Sequence, residues 1–275
     1  MDNRQNIDYT IYMKKICVCY FSGTGMTKYI VDTFVREFGK HEIAVDCFKI
    51  ESTHAEDLDL STYDMFVVAY PVHSFNAPQI VVDFVKRLPK QKYMRTAVIG
   101  TAGEDNKANY ASSDLLIKKF NRKGYNVFFN RIFEMPSNFI VKYDEEKVSR
   151  ILSKAADDAP FAVQDIVAHT DFDMKRSRGA KILSVIGRME WCGARVAGKF
   201  FYAKDGCIHC GKCVNNCPNR NIAMDGTSVA FKWRCGLCMR CIYQCPNNMI
   251  SIRQPFKFIR FDEWYDPELF SKHTK

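Results

Sequence analysis

Runs of consecutive apolar residues alternate with amphipathic stretches along the first 140 residues of the chain. The apolar runs predict buried strands at 15–21, 42–50, 65–70, 96–101 and 127–133. Apolar residues recur every three or four positions up to residue 38 and over 78–88 and 108–123, which predicts helices. Strands that alternate with helices are typical of a parallel sheet covered by helices on both faces. The pattern therefore predicts an α/β fold with a doubly wound, five-stranded parallel sheet.

The spacing of apolar residues changes after residue 140. Residues 144–168 have the pattern of a charged helix, which we expect Pro160 to interrupt. A second helix is predicted over 179–202, where small or apolar residues recur at steps of three and four. These residues form a seam that consists of Ile182, Ile186, Met189, Gly193, Val196 and Phe200. We expect residues 141–203 to be a helical linker whose seam packs between two domains.

Residues 204–253 contain an internal repeat. A shift of 28 residues superimposes the four cysteines of 207–217 on those of 235–245, and it also matches Pro218 with Pro246. Each unit reads C-x-x-C-x-x-C-x-x-x-C-P. Matches at this many positions indicate duplication of one unit, and each unit would support one site.

The spacing of these cysteines is that of iron–sulfur ligands rather than of a disulfide framework. Three cysteines separated by two residues can wrap around three corners of a cubane cluster, and in the two-cluster pattern the fourth cysteine serves the other cluster. We expect one 4Fe–4S cluster on Cys207, Cys210, Cys213 and Cys245, and the other on Cys235, Cys238, Cys241 and Cys217. A pair of four-cysteine zinc sites is the alternative, but zinc modules have no use for the third cysteine of each unit or for the proline.

On these two units, the segment resembles the bacterial two-cluster 4Fe–4S ferredoxins. The resemblance implies a small α+β domain with a C-terminal tail over 204–275 and two 4Fe–4S clusters as cofactors. The chain has 12 cysteines, and the four outside the repeat are expected to be packing residues. They are Cys17, Cys19, Cys47 and Cys192.

A loop of small and hydroxyl residues, SGTGMT at Ser22–Thr27, separates the first predicted strand from the first helix. Its three hydroxyls and two flexible glycines can surround a phosphate with O–H and N–H donors, and the helix N-terminus adds its positive end. Lys28 stands where a dinucleotide fingerprint needs its third glycine, and the lysine of a Walker A loop is missing. A phosphate loop of another kind is therefore expected, with an ordinary strand-to-helix turn as the alternative.

Ligands of doubly wound sheets lie beyond the carboxyl ends of the central strands. Here those ends are the loops 22–27, 70–78 and 101–106. Residues 14–133 resemble the flavodoxins, and SGTGMT is similar to their FMN phosphate loop. The resemblance implies a flavodoxin-like domain over 1–140 that binds FMN, with Phe75 or Tyr70 stacked on the ring. The implied FMN-binding residues are Ser22, Gly23, Thr24, Gly25, Met26, Thr27, Tyr70, Pro71, Val72, His73, Ser74, Phe75, Thr101, Ala102, Gly103 and Asn106.

The two resemblances together cover most of the chain, which as a whole resembles the flavodoxin–ferredoxin fusion proteins of anaerobic bacteria. Residues 135–138 (MPSN) also resemble that group and are expected near the flavin. The third loop has no aromatic residue before Tyr110, which favours a more open ring face than in flavodoxins.

Composition narrows the functional classes. With 47% hydrophobic and 26% charged residues the chain is an ordinary globular protein, and no apolar run approaches the roughly 20 residues of a membrane span. Its polar start lacks the apolar segment of a secretory signal, so we expect a cytoplasmic protein. The net charge of +9 could suit nucleic acid. No nucleic-acid partner is expected, however, because neither a reading helix nor an aromatic–basic platform is recognisable.

Joining a flavin to iron–sulfur clusters in one chain fixes the distance over which electrons pass. We therefore expect an electron-transfer protein that relays electrons between FMN, the two clusters and a redox partner such as a ferredoxin, a flavodoxin or a reductase. No catalytic residue is assigned, because no nicotinamide fingerprint, catalytic triad or acid–base pair is recognisable. The alternative is a flavin-dependent reductase of a small molecule fed by its own clusters, which His73 and the open ring face would favour.

A basic stripe is predicted on the helix over 179–202, because Lys181, Arg188 and Arg195 follow at intervals of seven and Lys199 lies one turn on. The stripe is either solvated surface or a docking site for an acidic redox partner. Binding to a membrane surface is a weaker alternative.

Overall fold

The structure is a computed structural model that describes residues 13–103, 106–140, 143–226 and 228–259. Three expectations concern residues outside these ranges. They are the polar start at 1–12, the part of the third loop at Glu104 and Asp105, and the C-terminal tail at 260–275.

A parallel sheet forms the first part of the molecule. Its strands are β1 (Lys15–Tyr20), β2 (Ala44–Lys49), β3 (Met65–Pro71), β4 (Met94–Ala102), β5 (Tyr125–Glu134) and β6 (Phe172–Asp173), in the order β2-β1-β3-β4-β5-β6. The five strands predicted from the sequence are all present. The sixth was not predicted, because it has two residues, both exposed, and therefore no apolar run.

Helices cover both faces of this sheet. They are α1 (Met26–Lys40), α2 (Gln79–Arg87), α3 (Asp114–Asn121) and α4 (Glu145–Val167), with short 3-10 helices at Ile50–Ser52, Ala55–Asp57 and Lys107–Ala111. Successive strand residues point to opposite faces, so Val18 and Val67 pack under α1 and α4 while Cys17 and Phe66 pack under α2 and α3. Burial on both faces explains the continuous apolar runs of the central strands.

Two local expectations were wrong. Helix α4 continues through Pro160, because the single lost hydrogen bond is outweighed by the apolar face that packs into the core on both sides of it, including Ala155, Ala159 and Val163. Cys47 is exposed because β2 is the edge strand, and Cys192 is also exposed. Cys17 and Cys19 are fully buried in the core, as expected.

The helix predicted over 179–202 is two helices, α5 (Arg178–Gly187) and α6 (Glu190–Gly198). The expectation that its apolar seam packs between domains was wrong, because Ile182, Ile186, Met189 and Val196 are all exposed. The buried side chains are small ones, such as Ala180 and Ser184 in α5 and Ala194 and Ala197 in α6.

Close backbone contacts explain why small residues face inward. A Cβ atom on Gly187 would lie 1.9 Å from the Ser74 carbonyl oxygen, and one on Gly198 would lie 2.1 Å from the Cβ of Cys235. Ser184 also donates a hydrogen bond of 3.0 Å to Asn76. The two helices therefore touch the sheet domain and the cysteine repeat through faces that only small side chains permit.

The cysteine repeat folds into short elements. They are β7 (Phe201–Ala203), α7 (Lys212–Asn215), β8 (Ile222–Asp225), β9 (Ser228–Phe231), α8 (Arg240–Tyr243) and β10 (Ile250–Ile252), followed by a 3-10 helix at Phe256–Ile259. Strand β7 pairs antiparallel with β10, and β8 with β9. The duplication is visible in the backbone. Gly211 and Met239, which are 28 residues apart, both adopt left-handed conformations (φ 70° and 61°) immediately before α7 and α8.

Candidate functional site

The loop Ser22–Thr27 joins the end of β1 to the start of α1. The Ser22 hydroxyl accepts hydrogen bonds of 3.2 Å from the backbone N–H groups of Gly25 and Lys28. The Thr27 and Thr101 hydroxyls are 2.8 Å apart, so a hydrogen bond connects the first loop to the third. Hydroxyls and the N-terminus of α1 thus converge at the switch point of the sheet, as a phosphate site requires.

A cavity lies beyond the carboxyl ends of β1, β3 and β4. Twelve of the sequence-predicted residues line it: Ser22, Gly23, Thr24, Met26, Thr27, Pro71, Val72, His73, Ser74, Thr101, Ala102 and Gly103. The segment after β5 also lines it, through Met135, Pro136, Ser137, Asn138 and Phe139. Asn138 donates a hydrogen bond of 3.1 Å to the Thr24 hydroxyl, so the MPSN segment reaches the phosphate loop itself.

Four sequence-predicted residues do not line this cavity: Gly25, Tyr70, Phe75 and Asn106. Tyr70 is fully buried in the core, where its hydroxyl lies 3.4 Å from that of Ser112 and burial raises its pKa. Asn106 is exposed and accepts a hydrogen bond from the N–H of Ala108. Neither of the aromatic residues expected to stack on the ring is therefore at the cavity, and Phe139 is the one phenyl ring that the described residues contribute to its lining.

The far wall of the cavity comes from α6 and the second cysteine unit, through Glu190, Leu237, Cys238 and Met239. The contact is close, because a Cβ atom on Gly23 would lie 2.4 Å from the Cys238 carbonyl oxygen. Residues 218 positions apart in the chain are involved, as in the hydrogen bond from Arg240 to the Ser22 carbonyl. No local sequence pattern marks such residues as neighbours, so the sequence analysis missed this wall.

Arg240, in the second cysteine unit, contacts the sheet domain beside the cavity. Its guanidinium donates to the carbonyl oxygens of Ser22 (2.6 Å) and Asn216 (3.2 Å), and it forms an ion pair of 2.7 Å with Glu51. Both side chains of the ion pair are nearly buried, so removal of either one would leave the other charge buried without a partner and would destabilise the protein.

The eight cysteines of the repeat form two groups. Cys207, Cys210, Cys213 and Cys245 line one small cavity. After burial, which is the main cause, neighbouring thiols raise the pKa of Cys241 further, in the order Cys238, Cys235, Cys217 and, with the smallest effect, Cys213. The structure therefore brings the fourth cysteine of each unit to the first three of the other unit.

The backbone offers matching donors to both groups. The N–H of Asn221 donates to the Cys217 sulfur and that of Met249 to the Cys245 sulfur, each over 3.2 Å and exactly one repeat apart. Among the described residues, no three His, Cys, Asp or Glu side chains are close enough to hold a single metal ion. A cubane cluster is held at its corners by ligands that lie farther apart, so the donor set of two groups of four soft thiolates fits 4Fe–4S clusters.

Three partly buried titratable groups lie where the cavity meets the second cysteine group. Burial raises the pKa of the Cys235 thiol to about 12 and that of the Glu190 carboxyl to about 7, and it lowers the pKa of His73 to about 4. All three shifts favour the neutral form, which is the effect of removing water from a titratable group.

His73 and Glu190 also line a second, larger cavity of about 1000 Å³ between the sheet domain and the cysteine repeat. Its wall contains the tryptophans Trp191 and Trp233 and the arginines Arg87, Arg195, Arg220 and Arg234. The first cavity is therefore bordered by an arginine-rich cleft. Within the described ranges, no helix has the length and apolarity to span a bilayer.

Solved structures with a similar fold include three redox proteins. Oxidised flavodoxin 1 from Bacillus cereus is 20% identical with a TM-score of 0.38, over 52% of this chain and 95% of that chain. Two-electron reduced Megasphaera elsdenii flavodoxin is 22% identical with a TM-score of 0.39, over 51% and 97%. The rubredoxin oxygen:oxidoreductase from Desulfovibrio gigas is 14% identical with a TM-score of 0.38, over 58% and 39%. No curated protein matches the chain.

Two family models match separate parts of the sequence. A flavodoxin domain matches residues 17–129, and a 4Fe-4S dicluster domain matches residues 199–246. The first range contains most of β1, all of β2 to β4 and half of β5, and the second contains all eight cysteines of the repeat. The chain is thus a fusion of a flavodoxin domain with a 4Fe–4S dicluster domain, with FMN and two 4Fe–4S clusters as its cofactors and electron transfer as its role.

Proposed function

We propose that the chain relays electrons between a redox partner, its two clusters and FMN, and that FMN occupies the cavity beyond β1, β3 and β4. The observation that carries this proposal is the shared wall, in which Leu237–Met239 of the second cysteine unit faces the phosphate loop. If the two domains bound their cofactors independently, close contact between Gly23 and Cys238 would serve no purpose.

We propose crossed ligation for the clusters. A proximal cluster is bound by Cys235, Cys238, Cys241 and Cys217, and a distal cluster by Cys207, Cys210, Cys213 and Cys245. The grouping of the thiols supports this assignment. Cys217 is close enough to raise the pKa of Cys235 and Cys241, and Cys245 is close enough to raise the pKa of Cys213.

The FMN phosphate is proposed to lie in the loop Ser22–Thr27. Thr24 and the N-terminus of α1 would hold the phosphate, and Asn138 would orient the Thr24 hydroxyl. The ring would lie between the loops at 71–74 and 101–103 and the backbone of 237–239. When bound, FMN exchanges one or two electrons, whereas each cluster exchanges one at a time.

The distal group is the proposed contact point for an external redox partner. Cys210 is exposed, and the neighbouring Ile208 side chain is 58% exposed, whereas Cys238 and Cys241 lie deeper. A partner that docks over Ile208 would approach the distal cluster most closely. Exposed apolar residues beside a cofactor are suited to brief redox encounters.

A second candidate function is a reductase of a small molecule. The arginine-rich cleft supports it, because His73 and Glu190 border both this cleft and the flavin cavity. An anionic molecule in the cleft would reach the flavin past these two side chains. Turnover of small anionic acceptors by the isolated protein, with a chemically reduced ferredoxin as donor, would separate this enzyme from a carrier that reacts only with redox proteins.

Stopped-flow mixing tests the proposed relay. Anaerobic protein with iron, sulfide and flavin counted is mixed with a chemically reduced ferredoxin, and reduction of the flavin is followed by absorbance. Cys210→Ala should slow this reduction about tenfold or more, because it damages the distal cluster. Cys192→Ala, which removes an exposed cysteine outside the repeat, should leave the rate unchanged. Flavin reduction at the same rate in both variants would show that electrons bypass the distal cluster.

A further inference from the structure

The outward face of α5 carries large apolar side chains. Ile182, Val185, Ile186 and Met189, which begins the next turn, are 59%, 59%, 55% and 73% exposed. Single exposed apolar residues are ordinary, but a contiguous set on one helix face marks an interaction surface. We call this set, together with Leu183, the α5 face.

Helical geometry shows that the residues of the α5 face lie on one side of the helix. At about 100° per residue, the α5 face centres on the side opposite to Ala180, Ser184 and Gly187. Those small residues are the ones that contact the rest of the molecule. The helix therefore packs its small residues against the protein and exposes its large aliphatic residues to solvent, which is the reverse of an ordinary surface helix.

The segment that carries the α5 face is rich in positive charge. Residues 174–203 contain seven Lys or Arg residues and a single acidic residue, Glu190. Lys175, Arg178 and Lys181 are exposed, and among the described residues no hydrogen bond or ion pair involves the side chain of Lys175 or Arg178. Arg176, in contrast, is held by Asp114 and Asp173. Unpaired cations beside exposed aliphatic side chains are the pattern of helices that lie in a membrane interface.

We propose that the α5 face binds the surface of a bilayer that contains anionic lipids. The aliphatic side chains enter the boundary between headgroups and acyl chains, and Lys175, Arg178 and Lys181 contact lipid phosphates. The helix lies parallel to the surface, as expected of a ten-residue segment that is far too short to span it. This binding does not depend on the proposed electron relay.

The position of α5 favours a lipid surface over an acidic redox protein. No residue of α5 lines the flavin cavity, the cleft or the cavity of the distal cysteine group. A redox protein docked on the α5 face would therefore touch no residue that lines these cavities. A membrane needs no such proximity, because it would position the protein without exchanging electrons with it.

Vesicle flotation tests the proposal with the complete, cofactor-loaded protein. The wild type should float with vesicles of equal parts phosphatidylglycerol and phosphatidylcholine and stay behind with phosphatidylcholine alone. The bound fraction should fall as salt rises from about 0.05 M to about 0.5 M. The double variant Ile186→Ser, Met189→Ser should lower the partition coefficient about tenfold or more, with unchanged cluster and flavin absorbance because both side chains are exposed.

Two matched controls separate the α5 face from surface chemistry in general. Phe161→Ser removes a side chain on α4 that is 65% exposed, and it should bind vesicles as the wild type does. Arg178→Glu should weaken binding, whereas Lys90→Glu, at another exposed site, should not.

Several results would overturn the proposal. They are the absence of flotation, equal losses in the double variant and in Phe161→Ser, and equal binding to phosphatidylcholine alone. A dimer that dissociates in the double variant would show that a second copy covers the α5 face. An acidic ferredoxin that binds the wild type but not the double variant would show that a protein does.

Discussion

Single side chains at the proposed flavin cavity divide into those that the sequence reveals and those that it hides. The hydroxyls of Ser22–Thr27 are recognisable because a phosphate needs donors at the N-terminus of a helix. Tyr70 was misjudged, because its position at the end of β3 does not reveal which face of the sheet its ring enters, and the ring enters the core. Glu190 and Leu237 could not be found, because their proximity to the loop is created by tertiary packing alone.

Loss of the Thr24 hydroxyl should weaken FMN binding. Thr24→Val leaves Asn138 without the acceptor that now receives its hydrogen bond and removes a donor from the proposed phosphate site. The expected cost is about 1–3 kcal/mol, or roughly five- to a hundredfold in the dissociation constant. Fluorescence titration of flavin-free protein measures it.

Thr170→Val, which changes an exposed threonine that does not line the cavity, is the control and should keep the affinity of the wild type. Riboflavin lacks the phosphate and should bind both variants weakly and alike. Equal loss in the two variants, or equal affinity of the wild type for riboflavin and FMN, would contradict a phosphate site in this loop.

At the scale of elements, the strands were predicted more reliably than the helices. Buried strands of a parallel sheet are apolar on both faces, so β1, β3 and β4 stand out in the sequence. An apolar seam on a helix shows only that the helix has two faces, and in α5 the face toward the protein is the small one. Boundaries at 140 and 203 remain predictions, although α4 packs on the sheet and β7 pairs with β10.

Replacing the fourth cysteine of one unit should damage the cluster that the other unit binds. Cys217→Ala should damage the cluster on Cys235, Cys238 and Cys241, although the nearest cysteine in sequence is Cys213. The physical reason is that Cys217 lies among the thiols of the second unit. Iron content should fall, and paramagnetic resonance of the reduced protein should show which cluster signal is lost.

Cys245→Ala is the matched control, because it occupies the same position one repeat later. It should remove the other signal. If each variant instead lost the cluster of its own unit, the assignment of the fourth ligands would have to be exchanged.

At the scale of the whole molecule, backbone contact between the domains replaces a flexible linker. Gly23, Gly187 and Gly198 each stand where a Cβ atom would overlap another segment of the chain. Family patterns in the sequence reveal both domains and their cofactors. They do not reveal the joint, because close approach of two backbones depends on the final packing and not on any local period.

A methyl group at the joint should push the domains apart. Gly23→Ala places a Cβ atom 2.4 Å from the Cys238 carbonyl oxygen, and backbone cannot yield as a flexible side chain would. We expect the free energy of unfolding to fall by about 1–3 kcal/mol. Electron exchange between the flavin and the proximal cluster should also slow. Calorimetry and stopped-flow absorbance measure the two effects.

Gly39→Ala is the control, because a Cβ atom there meets nothing within 4 Å and the residue lies within α1. Alanine favours the helix over glycine by up to about 1 kcal/mol, so this variant should be as stable as the wild type or more stable. Equal stability of the two variants would mean that the joint opens without cost.

The shared wall of the proposed flavin cavity has a consequence for how the protein is made. Ser22 is synthesised early and Arg240 late, 218 residues afterwards, so the pocket has only one side while the ribosome is still working. The second side comes from Leu237–Met239, a loop that contains Cys238, one of the proposed ligands of the proximal cluster. Iron–sulfur assembly should therefore precede tight capture of the flavin, and cells starved of iron should accumulate a chain that has lost both kinds of cofactor rather than one.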